Sequence, residues 1–226
     1  MVFDLDFFTA LFSIIIIDIV LGGDNAIVIA MASRNLPEKQ RNRAIFYGTG
    51  AAIGVRAVLT FVAVYLLTIP FLRLLGGLLL IWIAFNLLVG HKERADVHAG
   101  ASLGQAIRTI VIADIVMGLD NVIAIAGAAD AAHNSYFLVI LGLLISVPII
   151  IWGSKIILKL MDRFPIIIYI GAGVLAWVAG RMITEDRIVH AWLAHVPPYA
   201  NIWLPLLLIA VVLGFGKLKN SQAAQN

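Results

Sequence analysis

Asp18-Ile-Val-Leu-Gly22-Gly23-Asp24-Asn25-Ala-Ile-Val-Ile-Ala30 returns 96 positions later as Asp114-Ile-Val-Met-Gly118-Leu119-Asp120-Asn121-Val-Ile-Ala-Ile-Ala126, with nine of thirteen positions identical. Each copy sets two carboxylates and one carboxamide inside an otherwise apolar segment. A carboxylate at a bilayer centre costs roughly 2.5–3.5 kcal/mol on insertion scales, so four unpaired ones would cost on the order of 10–14 kcal/mol. A cation, protons, a buried arginine or trapped water must offset that cost.

The rest of the chain agrees with a membrane setting. Of 226 residues, 62% are hydrophobic and 13% charged, against about 25% charged in soluble domains. Repeated long apolar runs make the fold class an all-α polytopic membrane protein. The net charge of +3 comes from basic residues clustered at helix ends, so nucleic acid is not an expected partner and the lipid bilayer is. Cysteine is absent, which removes disulfides, thiolate metal sites and cysteine nucleophiles. Met1 to Asp6 lacks a basic n-region and carries Asp4 and Asp6, so it does not read as a signal peptide.

Seven segments are long and apolar enough to span, near 7–32, 44–67, 70–90, 106–128, 136–159, 165–183 and 201–216, the last needing flanking residues to complete its crossing. Asn35-Leu36-Pro37-Glu38 precedes the second, and Ser102-Leu-Gly-Gln105 reads as a capping box before the fourth. Pro70 and Pro165 stand at the starts of the third and sixth, where a missing N–H does no harm. Between the sixth and seventh, Thr184 to Ala200 reads as a short amphipathic helix with Thr184 as N-cap and Trp192, Tyr199 and Trp203 as interfacial anchors.

Twelve of the sixteen Lys and Arg fall on one side of this arrangement; Arg73, Arg181 and Arg187 fall on the other, and Arg56 lies within a span. The positive-inside rule then places the N-terminus outside a bacterial cell membrane and the C-terminus in the cytoplasm. The repeat exceeds the motif. Pro70, Gly76, Leu80, Trp82 and Ala84 match Pro165, Gly171, Leu175, Trp177 and Ala179, 95 positions on. Residues 1–226 are therefore expected to form a single transmembrane domain of about seven helices. Repeat one covers about 7–90, repeat two about 106–183, and the extra helix about 201–216. A three-span unit is odd, so its second copy inserts upside down, giving the inverted 3+3 plan of secondary transporters.

Asp18 and Asn25 are seven apart and share a helix face, whereas Asp24 points elsewhere on an unbroken helix. Unwinding at Gly22-Gly23 would let all three oxygen groups converge, and the same reading extends to Asp114, Asp120 and Asn121. Four carboxylates and two amides without Cys or His form a hard oxygen-donor set, suited to Mg²⁺, Ca²⁺ or Mn²⁺ rather than Zn²⁺ or Cu⁺. The bland alternative is interhelical glue, worth about 0.6 kcal/mol per polar contact. It suits a lone Asn better than four aspartates in a duplicated motif, because intramembrane carboxylates default to function. Arg56 reads either as a tethered counter-charge that fills the acidic site when the cation is absent, or as a salt bridge that only offsets burial. Gly48, Gly50 and Gly54 read as close helix packing and Pro148 as a kink. The five histidines read as surface residues, with His133 open to a proton-relay role.

At these residues the chain resembles the TerC family of integral membrane proteins, in its shorter branch. The likeness rests on the two Asp-Asn motifs, the arginine in the second span, and Phe164-Pro165 through Trp177-Val-Ala-Gly180. It implies a seven-helix fold of the lysine-exporter superfamily type. Members are named for tellurite resistance and several are linked to manganese export. The resemblance marks Asp18, Asp24, Asn25, Asp114, Asp120 and Asn121 as metal-site positions, with Leu119 departing from Gly23 in the second copy.

The leading expectation is a non-enzymatic secondary transporter exporting Mn²⁺ as substrate, with protons as a candidate coupling ion and no prosthetic group. No phosphate-cradling Gly-rich loop followed by Lys-Ser or Lys-Thr is present. An intramembrane aspartyl protease would need two acids rather than four, and its Pro-Ala-Leu element is missing. A membrane factor delivering metal to secreted proteins, or acting in tellurite resistance, would use the same residues. The sequence leaves a homo-oligomer open.

Overall fold

The computed structural model describes the backbone of residues 5–66, 69, 71–89, 102–130, 136–193 and 200–222; the side chains of 119–130 lie outside the described set. The regular structure among these residues is entirely helical: α1 (Leu5–Leu21), α2 (Gly23–Ser33), α3 (Glu38–Leu66), α4 (Leu72–Val89), α5 (Leu103–Asp130), α6 (Tyr136–Arg163), α7 (Ile166–Thr184), α8 (Arg187–Leu193) and α9 (Ala200–Gln222).

The helices begin and end for legible reasons. Ser102 and Gln105 form the expected reciprocal box, Gln105 N donating to Ser102 Oγ at 3.2 Å and Ser102 N to Gln105 Oε1 at 3.3 Å. Helix α9 runs on to Gln222, which supplies the length the last apolar run lacked. The short helix α8 starts after Asp186, whose Oδ1 accepts from Ile188 N at 3.1 Å. Its N-cap is therefore Asp186 and not Thr184, which is buried as the last residue of α7. A carboxylate one residue before the helix reaches the second helical N–H, and Thr184 is too far back to do so. Trp192 and Trp203 are exposed as anchors should be, while Tyr199 and Pro70 lie outside the described residues.

Polarity is turned inside out relative to a soluble protein. Phe12, Val20, Trp82, Trp152 and Leu207 are exposed, whereas Asp18, Arg56 and Asp114 are buried. Such an apolar exterior is what a bilayer solvates. Among the described residues, α4, α6, α7 and α9 are long and apolar enough to cross a membrane, and the α1–α2 pair, bent by 45°, is a fifth candidate. The described residues form an all-helical membrane-spanning bundle in which four or five of the seven expected spans are long and apolar enough to cross.

Small residues set how closely the rods approach. The main packing pairs are α3 with α5, α4 with α7, α7 with α9 and α1 with α6. A Cβ on Gly77 of α4 would lie 2.7 Å from the Ala179 carbonyl oxygen of α7, and one on Gly180 would lie 2.5 Å from Pro205 Cα of α9. Glycine is what lets these backbones touch. Gly48 also packs closely, on Ile110, but Gly50 and Gly54 have nothing within 4 Å of a built Cβ, so their expected packing role does not hold.

Polar ties mark two opposite ends of the bundle. At one end Arg41 pairs with Asp162 at 2.8 Å, and buried Arg34 donates to the Leu87 carbonyl at 2.8 Å. At the other, Arg73 Nη1 donates to the Glu185 carbonyl at 3.2 Å and Leu74 N to Asp186 Oδ2 at 3.2 Å. The start of α3 thus shares an end with the finish of α2, α4 and α6; Ala106 packed with Leu36 and Ala44 adds the start of α5, and Asn220 donating to Leu88 O adds the finish of α9.

Candidate ion site

Helix α1 stops where the first motif reaches its glycines. Gly22 N donates to Asp18 O at 2.7 Å, Gly22 sits at φ −90° and ψ 3°, and α2 starts at Gly23. A Cβ at Gly22 would approach Asp18 O at 2.4 Å, so the tight turn needs the missing side chain. The second motif behaves differently. Helix α5 continues through Gly118, Leu119 and Asp120 without a break. One glycine in a helix costs only about 1 kcal/mol and is tolerated, and Leu119 replaces the second. Gly118 lies beside the ionic cluster, but a Cβ there would make only ordinary contacts, 3.6 Å from Arg56 Nε and 3.9 Å from Asp114 Oδ2. The unwinding expected at the first copy is present, and the one expected at the second is absent.

Around that break the bundle interior gathers three ionisable groups. The Arg56 guanidinium of α3 lies between Asp18 of α1 and Asp114 of α5, donating Nη1 to Asp18 Oδ1 and Nη2 to Asp114 Oδ1. Ser146 Oγ of α6 donates to the other oxygen of Asp18. All four side chains are buried, Asp18 and Ser146 completely. A cavity of about 20 Å³ abuts the cluster, lined among others by Asn25, Thr49 and Ile110. Asn25 is 4% exposed, and neither its amide oxygen nor its amide nitrogen has a partner among the described residues; the buried Thr49 hydroxyl has none either. Buried polar atoms left this way cost about 1–3 kcal/mol each and call for an explanation.

The sequence-derived positions therefore separate. Asp18, Asn25, Asp114 and Arg56 come together. Asp24 does not line the cavity; it is half-buried, and its Oδ1 accepts from the neighbouring Asn25 N at 2.9 Å. With α2 helical from Gly23, Asp24 and Asn25 point about 100° apart, so one faces the cluster and the other turns away. Asp120 and Asn121 lie on the α5 backbone with side chains outside the described residues. Among the described residues no group of three or more His, Cys, Asp or Glu is placed to hold a metal ion. Two functional candidates escaped the sequence reading, Thr49 and Ser146. Ser146 stands alone as a hydroxyl between Leu141 and Pro148, which is a usable signal inside so apolar a run.

Chemically, the cluster offers carboxylate, carboxamide and hydroxyl oxygens with no nitrogen or sulfur ligand among its acidic and neutral members. Such a set fits Mg²⁺, Ca²⁺ or Mn²⁺. With all groups ionised, two carboxylates face one guanidinium, leaving one negative charge uncompensated in the interior.

A helical bundle with an apolar exterior and an ionic interior defines an integral membrane protein. The sequence pattern of the integral membrane protein TerC family matches residues 3–224, and the chain belongs to that family. It is 47% identical over 208 residues to "Uncharacterized membrane protein YjbE" of Bacillus subtilis, covering 92% of this chain and 94% of that protein. It is 29% identical over 232 residues to "UPF0053 inner membrane protein YgdQ" of Escherichia coli K12, covering 94% and 93%. No solved structure matches it.

Proposed function

We propose that the protein is a secondary transporter that exports a hard divalent cation, Mn²⁺ foremost, from the cytoplasm through the Asp18–Asp114 site, in exchange for protons. The observation that carries this reading is the Arg56 bridge between two buried carboxylates, beside the unpartnered Asn25 amide and Thr49 hydroxyl. Arg56 acts as a tethered cation that holds the site in its substrate-free form. A cavity near 20 Å³ just exceeds the about 10–15 Å³ that one water needs. It has no room for a hydrated ion, so a cation entering it sheds water and displaces the guanidinium. Two carboxylates then balance its two charges, and Asn25, Thr49 and Ser146 supply neutral oxygens. Asp24, Asp120 and Asn121 are assigned to the entry and exit steps.

The packing supports an inverted repeat. If α1–α2, α3 and α4 correspond to α5, α6 and α7, exchanging the halves turns the α1–α6 pair into α5–α3, and both are main contacts. The α4–α7 pair maps onto itself. Alternating access follows as rocking of one half against the other around the fixed Asp18–Arg56–Asp114 centre.

Flux of Mn²⁺ into proteoliposomes with an imposed pH gradient tests the reading. Asp18→Asn and Asp114→Asn should each abolish flux normalised to folded protein, and Mn²⁺ should outcompete Zn²⁺ despite the usual affinity order. Retained flux in both variants, or a preference for Zn²⁺, would overturn it.

A further inference from the structure

Two buried side chains beside the Arg56 bridge carry polar atoms that no protein group satisfies. Ser13, Ser33, Thr109, Ser154 and Thr184 each donate their hydroxyl to a carbonyl three or four residues back, at 2.7–2.9 Å. That is the usual way a helix satisfies such a group. Thr49 lies within α3 and is 4% exposed, yet its Oγ1 makes no such bond, and neither polar atom of the Asn25 carboxamide has a partner. Both side chains line the cavity of about 20 Å³ that also touches Asp18, Arg56 and Asp114. The other walls are aliphatic and buried, Ile29, Ile110 and Ile150 among them. A hydroxyl that forgoes the preceding turn and shares an apolar-walled chamber with a carboxamide implies an occupant that bonds to both.

We propose that one water molecule is a fixed part of the ionic centre, held in this cavity by the Thr49 hydroxyl, one end of the Asn25 carboxamide and the neighbouring carboxylates. The volume suits one water, which needs about 10–15 Å³. A buried water makes about two to four hydrogen bonds, and these groups offer that many. A hydroxyl donates and accepts while a carboxylate only accepts, so the two protons and two lone pairs of water match the set. Cavities that stay dry are apolar ones, which this is not. A cation is the wrong occupant of the bridged form, because the Arg56 guanidinium lines the same space and repels a second positive charge. The water site stands independently of the transport reading, since it needs only the Arg56-bridged geometry.

X-ray radiolytic labelling of the full chain in detergent, read by mass spectrometry, reports waters held against buried side chains, because hydroxyl radicals form where the water sits. Ile29, Ile110 and Ile150 should gain oxygen despite their burial, whereas Leu80 and Leu175, buried away from the cavity, should not. Thr49→Val keeps the shape of the side chain and removes its hydroxyl, so it should lose most of that labelling. Thr49→Ser keeps the hydroxyl and should retain it, which separates the lost hydrogen bond from a disturbed fold. In thermal unfolding, Thr49→Val should lower the midpoint by about 2–4 °C. A hydroxyl without water predicts the opposite sign, because a methyl in its place would relieve the cost of burying it unpaired. Unlabelled Ile29, Ile110 and Ile150, labelling undiminished in Thr49→Val, or a raised midpoint in that variant would each overturn the proposal.

Discussion

At the residue scale the central question is what Arg56 does for the two carboxylates beside it. Two acids share one guanidinium, so removing an acid and removing the arginine have unequal consequences. Asp18→Asn or Asp114→Asn leaves a one-to-one ion pair and an amide of similar shape. Arg56→Gln leaves two buried carboxylates without a counter-charge, the situation that costs about 3–5 kcal/mol when a buried pair is broken. Thermal unfolding in detergent, followed by circular dichroism, should therefore show Arg56→Gln strongly destabilised and both Asp→Asn variants close to the parent. Equal losses in all three would mean that the arginine is not neutralising the pair. Ser146→Ala removes a charge-assisted hydrogen bond to Asp18 and should cost about 1.5–3 kcal/mol in the same measurement. The aspartates and the arginine were legible in the sequence because a charged residue in an apolar run is conspicuous. Thr49 and Ser146 were not, since a hydroxyl can satisfy itself on the preceding turn; Leu143 O, 3.1 Å from Ser146 Oγ, is an alternative acceptor for its single proton. Asp24 and Asn25 could not be told apart from spacing alone, because their orientation depends on how far the Gly22 break unwinds.

At the scale of elements, one carboxylate serves two helices. Asp186 is buried, and its two oxygens accept from Leu74 N in the first turn of α4 and Ile188 N in the first turn of α8. Each helix start has donors without intrahelical partners, and an acidic side chain there also meets the positive end of the dipole. Asp186→Ala should cost about 1–2 kcal/mol for each cap lost, read as a lowered midpoint in the same unfolding assay. Asp186→Asn, keeping both acceptor and shape at one oxygen, should recover part of it. The glycines give a sharper pair. Gly77→Ala forces a methyl against the Ala179 carbonyl and should destabilise by about 1–3 kcal/mol. Gly50→Ala meets nothing within 4 Å and should be neutral or stabilising by up to about 1 kcal/mol from helix propensity. Apolar runs and caps located every long helix, but α3 begins six residues before the expected 44, α9 runs six residues past the expected 216, and the first expected span is divided into α1 and α2. Which glycine touches a neighbour was hidden, because that depends on the rotation of each rod about its axis.

At the scale of the whole molecule, sidedness decides whether the duplicated motif can work as a transporter. The ties at the two ends of the bundle already sort the helix termini: Arg41 meets Asp162 at one end, and Arg73 meets Glu185 at the other. The excess of Lys and Arg lies at the first of these ends, which the positive-inside rule assigns to the cytoplasm. An inverted repeat further requires that α3 and α6 run in opposite directions across the membrane, since they occupy matching places in the two halves. The absence of cysteine makes this directly measurable, because any thiol introduced is the only one in the chain. Exposed positions Lys39 at the start of α3 and Lys217 near the end of α9 report on the basic end; Phe137 at the start of α6 and His190 on α8 report on the other. In intact cells a membrane-impermeant maleimide should modify Phe137→Cys and His190→Cys. Lys39→Cys and Lys217→Cys should react only after permeabilisation. Modification of all four from outside would place the starts of α3 and α6 on one face and end the inverted-repeat argument, and with it the alternating-access reading. A complete reversal, with only Lys39→Cys and Lys217→Cys reacting in intact cells, would keep the repeat but turn the protein over. The basic end, with the starts of α3 and α5, would then face away from the cytoplasm, while an inward proton gradient would still drive the exchanged cation outward, because the gradients and not the orientation set the direction of antiport.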